Sequence, residues 1–518
     1  MGIIKSLKRL SHKLSSDRHS QHSQTSNQDE HAAPSLSVLA DDNGDGKAVE
    51  DQHDPLVIAE GEAQGLPTPI SDFIPHLSSY PQTTTRGLLR PYLAYETCLR
   101  KAFAKGDHGV GIDDHANLVP IYDGHEKEVR IRTTDRDTRT DEEKYLMPVP
   151  DEKREEDGQI VITESLSEYE ERWEGFTHAA LTGMDWMNVV AAGSSALLPL
   201  LSHRKDVNIR TDPAVEKPIE TYFQKIAASS DIDLFLYGLD SEEAAIERIT
   251  RLEATVRKNQ RLSAGGGLVM RSENAITFIS PKWPFRHVQI ILRLYKSISE
   301  ILTGFDVDCA CVAYDGRQVY SNPRGVAAII TRTNTVDLSR RSPSYENRLY
   351  KYRFQNFDAY WEGLDRSRIP EDSFHASMDP KGLTGLGRLL FFEKLLEKRR
   401  DAYRRKRLLK RIEDSSWKVG LAGGKGDKVA QSGYAAHEIP YGERFNAASV
   451  RKYVVKHSQE PYRFGTLQEV VSSRQRNDEN RYLGGKLTFI KDDPGRQMIG
   501  SFHPLTEDDW TDCAYQDV

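Results

Sequence analysis

The sequence contains little cysteine and no long hydrophobic run. Its 518 residues include four cysteines with neither the paired spacing of a zinc site nor the density of a disulfide framework: Cys98, Cys309, Cys311 and Cys513. This pattern favours a reducing, cytoplasmic location. No apolar run approaches the length of a membrane-spanning helix, and no secretory signal is recognisable. We therefore expect neither a membrane-spanning helix nor secretion. The net charge of -7 excludes a globally basic, polyanion-binding protein.

The N-terminus carries a pattern typical of lipidation. Gly2 and Ser6 fit the N-myristoylation motif. Basic residues follow at Lys5, Lys8, Arg9, Lys13 and Arg18. One acyl chain binds membranes weakly, and a basic patch adds attraction to an anionic membrane surface. We therefore expect lipidation of Gly2 and membrane association through the N-terminus. The alternative is an ordinary disordered start.

Composition divides the chain into five regions. The first, residues 1–80, is rich in Ser, His, Gln, Asp and Gly and is predicted to be disordered. The others are an N-terminal α+β extension at 88–184, a core at 185–335, a helical basic region at 336–415 and a C-terminal extension at 416–518. The expected fold class is α+β: a mixed β-sheet flanked by helices, followed by a helical and β C-terminal extension.

Asp231 and Asp233 are the most informative residues of the core. They alternate with apolar residues in the run 230–238, which predicts a β-strand with both carboxylates on one face. Two like charges on one face repel each other, and a strand needs no such pair in order to be stable. A divalent cation offsets this repulsion, and Mg²⁺ held by such a pair can bind nucleotide phosphates.

Two further features lie in the same region. Gly193, Ser194 and Ser195 form a turn at the start of a predicted helix, where backbone N–H groups and hydroxyls can bind an anion. A later predicted strand places Asp306 and Asp308 on one face. Phosphoryl transfer needs metal ions between carboxylates and phosphates, so these features together predict that chemistry.

The order of these features resembles the nucleotidyltransferase fold of the DNA polymerase beta superfamily. Members typically show a Gly-Ser turn, then an Asp-hydrophobic-Asp strand, then a third acidic residue on a later strand. The resemblance covers residues 185–335. It implies Mg²⁺ as cofactor, a nucleoside triphosphate as substrate, and RNA, a protein or a small molecule as acceptor. The residues it implies are Asp231, Asp233, Asp306 and Asp308 for catalysis, the first three of them for metal, and Gly193, Ser194 and Ser195 for the nucleotide.

The pattern does not decide which residue supplies the third carboxylate. Asp306 and Asp308 both qualify by their position in the predicted strand. In some superfamily members a comparable late strand serves sugar recognition. The third ligand would then lie on the strand 288–295, which carries Gln289 and no acid.

Basic side chains form two further candidate binding features. Arginines crowd the stretch 324–348, and Tyr345, Tyr350 and Tyr352 lie in or just after it, so this part of the chain is predicted to bind a triphosphate or a nucleic acid end. Arg324 and Arg341 are the predicted triphosphate contacts. The alternative is a polar surface whose arginines pair with nearby acids. Those acids are Asp337, Glu346 and Asp358. The basic helix 398–411 predicts contact with RNA phosphates, an anionic membrane or the nuclear import machinery, and its alternative is a solvated helical face.

A larger part of the sequence resembles an uncharacterised group of fungal proteins, some of which carry ankyrin repeats. Matching stretches lie at 181–193, 305–316, 340–349 and 493–500, and the resemblance spans 88–518. No ankyrin repeat is recognisable in this sequence. This second resemblance implies no specific activity.

Two functions from different classes follow. In the first, the chain is a cytoplasmic, Mg²⁺-dependent nucleotidyltransferase. In the second, it is a non-catalytic relative that keeps the fold as an interaction scaffold tethered to a membrane. Geometry separates the two, because metal binding needs the carboxylates of Asp231, Asp233 and either Asp306 or Asp308 close to one point.

Overall fold

The fold is built around a large mixed β-sheet. A computed structural model describes residues 62–105, 113–136, 139–204, 218–227, 230–263, 267–371, 373–375, 383–397, 439–443, 445–457, 461–472, 483, 485–491, 496–501 and 504–516. These stretches all belong to one unit, residues 53–518. The predictions for Gly2 and for the basic helix 398–411 fall outside them.

The strands of the described residues form two sheets. They are β1 (Val119–Pro120), β2 (Tyr145–Leu146), β3 (Val189–Ala192), β4 (Ile232–Tyr237), β5 (Leu268–Arg271), β6 (Ala275–Ile279), β7 (Val288–Tyr295), β8 (Val312–Tyr314), β9 (Val319–Ser321), β10 (Thr333–Thr335), β11 (Asp358–Tyr360) and β12 (Arg463–Gly465). The large sheet has the order β1-β9-β8-β3-β4-β7-β6-β5-β12, and the small one β10-β11-β2.

Helices flank both sheets. The α-helices are α1 (Phe73–Ser79), α2 (Thr85–Ala104), α3 (Arg139–Glu142), α4 (Leu166–Thr177), α5 (Ser194–Leu200), α6 (Pro218–Ile226), α7 (Glu242–Asn259), α8 (Ile298–Thr303), α9 (Pro323–Thr331), α10 (Tyr345–Arg353), α11 (Gly385–Glu397), α12 (Ala447–His457), α13 (Leu467–Val471) and α14 (Glu507–Thr511). None of these described helices combines the length and the apolarity needed to cross a bilayer. The expected mixed sheet flanked by helices is confirmed.

The centre of the large sheet is mixed in direction. β3 pairs antiparallel with β4, with Val190 opposite Phe235. β4 pairs parallel with β7, with Asp233 opposite Gln289. The crossover between these two parallel strands contains α7, the long helix that a parallel connection requires.

Successive side chains of β4 lie on opposite faces of the sheet and pack in two different hydrophobic clusters. Ile232, Leu234 and Leu236 are fully buried in the main hydrophobic core. Phe235 packs on the other face, in a smaller cluster that includes Ile301 of α8. Burying an aliphatic side chain of this size stabilises the fold by about 1.5–3 kcal/mol, so the register of β4 is strongly fixed. Asp231 and Asp233 therefore lie on the Phe235 face.

The segment 305–314 differs from the single strand that the sequence suggested. A 3-10 helix occupies Asp308–Ala310, and only Val312–Tyr314 forms the strand β8. Asp306 and Asp308 thus do not share one face of a strand. The alternating pattern is present in the sequence, but the main-chain turn before β8 gives the two carboxylates different surroundings.

Residues outside 185–335 complete the large sheet. β1 pairs with β9 at one edge, and β12 pairs antiparallel with β5 at the other. In the predicted disordered region 1–80, the structure shows the helix α1, whose Phe73 is fully buried. Ordered structure therefore begins before Leu88, where the sequence analysis placed it.

Candidate functional site

Asp231 and Asp233 lie at the start of β4, where the strand enters the sheet. Asp233 stands directly opposite Gln289 of β7. Both aspartates are partly exposed. Within the described part of the chain, neither carboxylate has a hydrogen bond or an ion pair. A pair of partly buried carboxylates without protein partners is an unusual arrangement, because such groups normally pair.

The two carboxylates repel each other, as the sequence predicts. Burial raises the pKa of Asp233 to about 7, and the negative charge of Asp231 adds to the rise. Burial also raises the pKa of Asp231 to about 6. Lys351 opposes both shifts, and Arg286 opposes the shift of Asp231. Near neutral pH a proton and a metal cation therefore compete for binding to this pair.

The Gly-Ser turn connects β3 to α5 beside β4. Gly193 has a φ of +77°, a conformation that suits glycine. Its N–H donates to Val312 O at 3.0 Å, which ties the turn to β8. The Ser195 hydroxyl is buried and donates to Ala192 O at 3.1 Å, whereas Ser194 is slightly more exposed. The turn stands beside Phe305, since a Cβ on Gly193 would lie 3.6 Å from its ring.

Phe305, the residue before Asp306, packs against Phe235 on the face of β4 that carries the aspartate pair. Its ring centroid lies 5.5 Å from that of Phe235. The Asp306 carboxylate accepts a hydrogen bond from the Ser342 hydroxyl at 2.5 Å and forms an ion pair with Arg348. Asp306 is therefore held by α10 and the residues before it.

Asp308 is committed to a buried network of charges. Its carboxylate accepts from Arg324 at 2.8 Å and from the Thr335 N–H at 2.6 Å. Arg324 also pairs with Glu96 of α2 at 3.2 Å, and Arg340 pairs with the same carboxylate at 2.8 Å. These arginines hold the pKa of Glu96 below its usual range although burial raises it. Asp308 thus joins α2, α9 and β10 and does not face the aspartate pair.

The two arginines chosen for triphosphate binding are also interior. Arg324 is 4% exposed and belongs to the network just described. Arg341 is 3% exposed and pairs with Glu346 at 2.7 Å. The pairings Arg340–Asp337 and Arg341–Glu346 follow the alternative weighed from the sequence, whereas Asp358 pairs with Arg136. A triphosphate would have to displace these contacts to reach either guanidinium.

Lys351 of α10 was not singled out from the sequence, although Arg348 and Tyr352 belong to the stretch considered there for phosphate binding. Lys351 acts electrostatically on both Asp231 and Asp233. Burial raises the pKa of the Tyr352 hydroxyl well above its usual range, the charges of Asp233 and Asp306 add to the rise, and Arg348 opposes it. The spacing of Arg348 and Lys351, three residues apart on a helix, was the available signal.

Arg286 was missed as well. It is 1% exposed, and its guanidinium donates to Ala227 O at 2.6 Å and to Ser230 O at 2.8 Å. It also donates to Phe176 O at 2.7 Å. Arg286 therefore holds Ser230, the residue before Asp231, and its positive charge acts on the Asp231 carboxylate.

The donor set fits one hard cation better than a three-carboxylate centre. Within the described residues, no group of three or more His, Cys, Asp or Glu side chains could hold a metal ion. Asp231 and Asp233 offer two carboxylates without protein partners, and Mg²⁺ is commonly held by one or two carboxylates together with substrate phosphates. The structure brings these two aspartates together with the Gly-Ser turn and leaves Asp308 out.

Comparisons with known proteins cover part of the chain. A family described as "Gabija anti-defense 2 family protein" matches residues 167–332, which include the Gly-Ser turn, both aspartates and Asp306. The chain is also similar to "Uncharacterized protein R883" of Acanthamoeba polyphaga mimivirus, with 35% identity over 156 residues. That match covers 28% of this chain and 34% of the viral protein, so it spans about a third of the relative's length. No solved structure matches.

Proposed function

We propose that this chain is a nucleotidyltransferase-like protein that binds a nucleoside triphosphate with Mg²⁺ at Asp231 and Asp233. The observation that carries the proposal is the pair itself: two neighbouring, partly buried carboxylates with raised pKa values and no protein partner. A folded protein gains no stability from such a pair, whereas a cation site requires it.

The order and direction of the central strands support this proposal. A Gly-Ser turn follows β3, the Asp-hydrophobic-Asp strand β4 pairs antiparallel with it, and β7 lies parallel on the other side of β4. This order agrees with the resemblance to the nucleotidyltransferase fold. The matched family region, 167–332, contains all of these elements.

The residues of the chain have distinct roles in the proposed reaction. Asp231 and Asp233 would hold Mg²⁺, which when bound neutralises phosphate charge and orients the phosphate for attack. Ser194 contributes a hydroxyl donor at the turn beside them, whereas the Gly193 N–H is bonded to Val312 O and keeps the turn in place. Arg286 keeps Asp231 in place through its hydrogen bonds to Ala227 O and Ser230 O. The acceptor is RNA, a protein side chain or a small molecule.

A second candidate function is a non-catalytic scaffold of the same fold. The observation that favours it is Gln289, which stands opposite Asp233 where β7 would carry a third carboxylate. An amide is a weaker ligand for Mg²⁺ than a carboxylate. In this reading the site binds nucleotide without transferring it, and any membrane tether resides in the N-terminal region.

The name of the matched family adds a biological context to either reading. If this chain shares the anti-defence role that the name states, we propose that the nucleotide site carries out the chemistry of that role. Testing for that role requires the biochemical activity first, because the name specifies no reaction.

Labelled-nucleotide transfer and binding assays test the proposal directly. With Mg²⁺, the wild-type chain should bind at least one ribonucleoside triphosphate, and transfer of its label to RNA, to the chain itself or to a small molecule would identify the reaction. The double variant Asp231→Asn/Asp233→Asn should lose binding by at least about 100-fold, because both metal ligands are removed. Binding without transfer would favour the scaffold reading.

A matched control uses a carboxylate outside the site. Asp151→Asn removes an acid whose side chain is 93% exposed, and it should bind and transfer like the wild type. If the wild type binds no triphosphate in the presence of Mg²⁺, or if the double variant binds as the wild type does, the proposed function is wrong.

A further inference from the structure

A short segment of the C-terminal extension packs on the loop that joins β6 to β7. We call residues 439–441 the strap. The ring centroids of Tyr441 and Trp283 lie 4.9 Å apart, and the Tyr441 hydroxyl donates to Pro284 O. At the other end of the strap, Ile439 packs against the hydrophobic cluster that holds α12 on the sheet. The strap is therefore attached both to the loop and to the sheet.

His287 joins the strap to the end of this loop, and its two partners fix its tautomer. Its Nδ1 accepts from the Ser280 N–H at 3.1 Å, because a backbone N–H can only donate. Its Nε2 lies 3.2 Å from Pro440 O, which can only accept, so Nε2 carries the proton. The imidazole is therefore neutral, and each of its nitrogens holds a different part of the chain.

The same loop holds the backbone on both sides of Asp231. The Ile232 N–H donates to His287 O at 3.0 Å. On the other side, the Arg286 guanidinium donates to Ser230 O at 2.8 Å. Two consecutive residues of the loop therefore hold the two residues that flank Asp231, and they set the position from which its carboxylate leaves the strand.

The Tyr441 ring of the strap lies against both of these loop residues. Its centroid is 5.6 Å from that of the His287 ring and 6.0 Å from the guanidinium carbon of Arg286. Arg286 is 1% exposed, and the Phe176 ring lies 4.1 Å from the same guanidinium. Aromatic faces attract a guanidinium cation, so the Tyr441 ring contributes to holding Arg286 in place.

We propose that the strap is a positioning element for Asp231, so that Mg²⁺ binding at the aspartate pair depends on the C-terminal extension. The metal part of this inference rests on the proposed function, whereas the connection from the strap to Asp231 consists of the contacts described above. Mg²⁺ demands near-ideal octahedral geometry with ligands at about 2.0–2.1 Å, so a small displacement of one carboxylate weakens its binding. The strap lies outside the matched family region, which ends at residue 332.

Hydrogen–deuterium exchange on the full chain tests the connection to Asp231 without any metal. His287→Phe keeps an aromatic ring and loses both side-chain hydrogen bonds, so the amides of residues 230–234 should exchange about tenfold faster. His287→Gln should restore most of the protection, because its amide group can accept from Ser280 and donate to Pro440 as the neutral imidazole does.

Isothermal titration calorimetry with Mg²⁺ and the four ribonucleoside triphosphates tests the consequence for the site. The dissociation constant of the preferred triphosphate should rise about tenfold in His287→Phe and return close to the wild-type value in His287→Gln. Tyr441→Phe removes only the hydroxyl contact with Pro284 and should show smaller changes of the same sign. This milder variant decides the question if His287→Phe does not fold, which circular dichroism shows.

The matched control is Leu99→Ala, which destabilises the chain at a distance from the strap. Leu99 is 1% exposed and packs in a separate cluster with Ile499. The variant should lower the melting temperature and leave both the exchange at residues 230–234 and the triphosphate affinity unchanged. If Leu99→Ala shows the same losses as His287→Phe, the effect is one of general stability and the positioning role is wrong.

The outcomes separate this inference from the proposed function. If folded His287→Phe matches the wild type in exchange and in affinity, the positioning role is wrong and the proposed function stands. Faster exchange with unchanged affinity would overturn the metal part of the inference. If the wild type binds no triphosphate with Mg²⁺ while His287→Phe exchanges faster at residues 230–234, the proposed function fails together with the metal part, and the strap still positions Asp231.

Discussion

The four aspartates singled out in the sequence differ in what surrounds them. Asp308 accepts from Arg324 and from a backbone N–H, and Asp306 is held by Arg348 and Ser342. Asp231 and Asp233 have no such contacts with the described residues. A carboxylate that is already paired within the protein contributes to structure, whereas a pair without protein partners retains its capacity for a ligand. This contrast separates the binding candidates from the structural ones.

The raised pKa values predict how stability varies with pH. Asp233 titrates at about 7 in the folded chain and near 3.9 in the unfolded chain, so the unfolded state loses its proton first as pH rises. Stability without metal therefore falls as pH rises from about 4 to 7. Asp233→Asn removes this cost, and thermal unfolding should show stabilisation on the order of 1–2 kcal/mol at pH 8 that vanishes near pH 4.

The effect of Mg²⁺ on the melting temperature is a second test of Asp233. At pH 8, Mg²⁺ should raise the melting temperature of the wild type and leave that of Asp233→Asn nearly unchanged, because the variant lacks one ligand. Asp151→Asn, at a highly exposed surface position, should show neither effect. Equal pH profiles for the wild type and Asp233→Asn would mean that Asp233 ionises normally in the folded chain.

At the scale of elements, a buried charge network joins helices that are distant in sequence. Glu96 of α2 pairs with Arg324 of α9 and with Arg340, and Arg324 also pairs with Asp308. All four side chains are at most 5% exposed. Because each charge is compensated by its neighbours, the network fixes the relative positions of its elements more than it stabilises them.

Glu96→Gln tests the network. It removes the negative charge that faces two buried guanidinium groups, and an uncompensated buried charge costs about 3–5 kcal/mol. Denaturant unfolding followed by tryptophan fluorescence should show a loss of that size. The control is Glu247→Gln on the surface of α7, where both partners of the pair with Arg251 are more than half exposed and the loss should be at most about 0.5 kcal/mol.

Local patterns account for the elements that the sequence predicted correctly. The alternation in 230–238 predicted β4 and the face of its aspartates, and the strand expected at 288–295 is β7. The partners of Asp308 and Arg324 could not be inferred in this way. Glu96 lies 228 residues before Arg324, and no local periodicity encodes that contact. Lys351 was missed for the same reason, since its electrostatic effect on Asp231 depends on the packing of α10.

At the scale of the whole molecule, the sheet that carries the proposed nucleotide site depends on segments far outside the region that resembles a nucleotidyltransferase. β12 pairs with β5, and Ile490 bridges Arg293 of β7. Phe464 of β12 packs in a cluster with Met270 and Ile279. The helix α10, which carries Lys351, also follows residue 335. The site is therefore assembled by the chain as a whole.

A fragment of residues 185–335 should consequently fail to fold cooperatively, whereas a fragment of residues 62–516 should fold. The short fragment leaves β5 as an unpaired edge and exposes Met270 and Ile279, which normally pack against Phe464. Near-UV circular dichroism and thermal unfolding distinguish the two. In the full chain, Phe464→Ala should lose about 3–5 kcal/mol through the cavity it creates. A sharp thermal transition in the 185–335 fragment would show that the central strands form an autonomous domain and that β12 is dispensable.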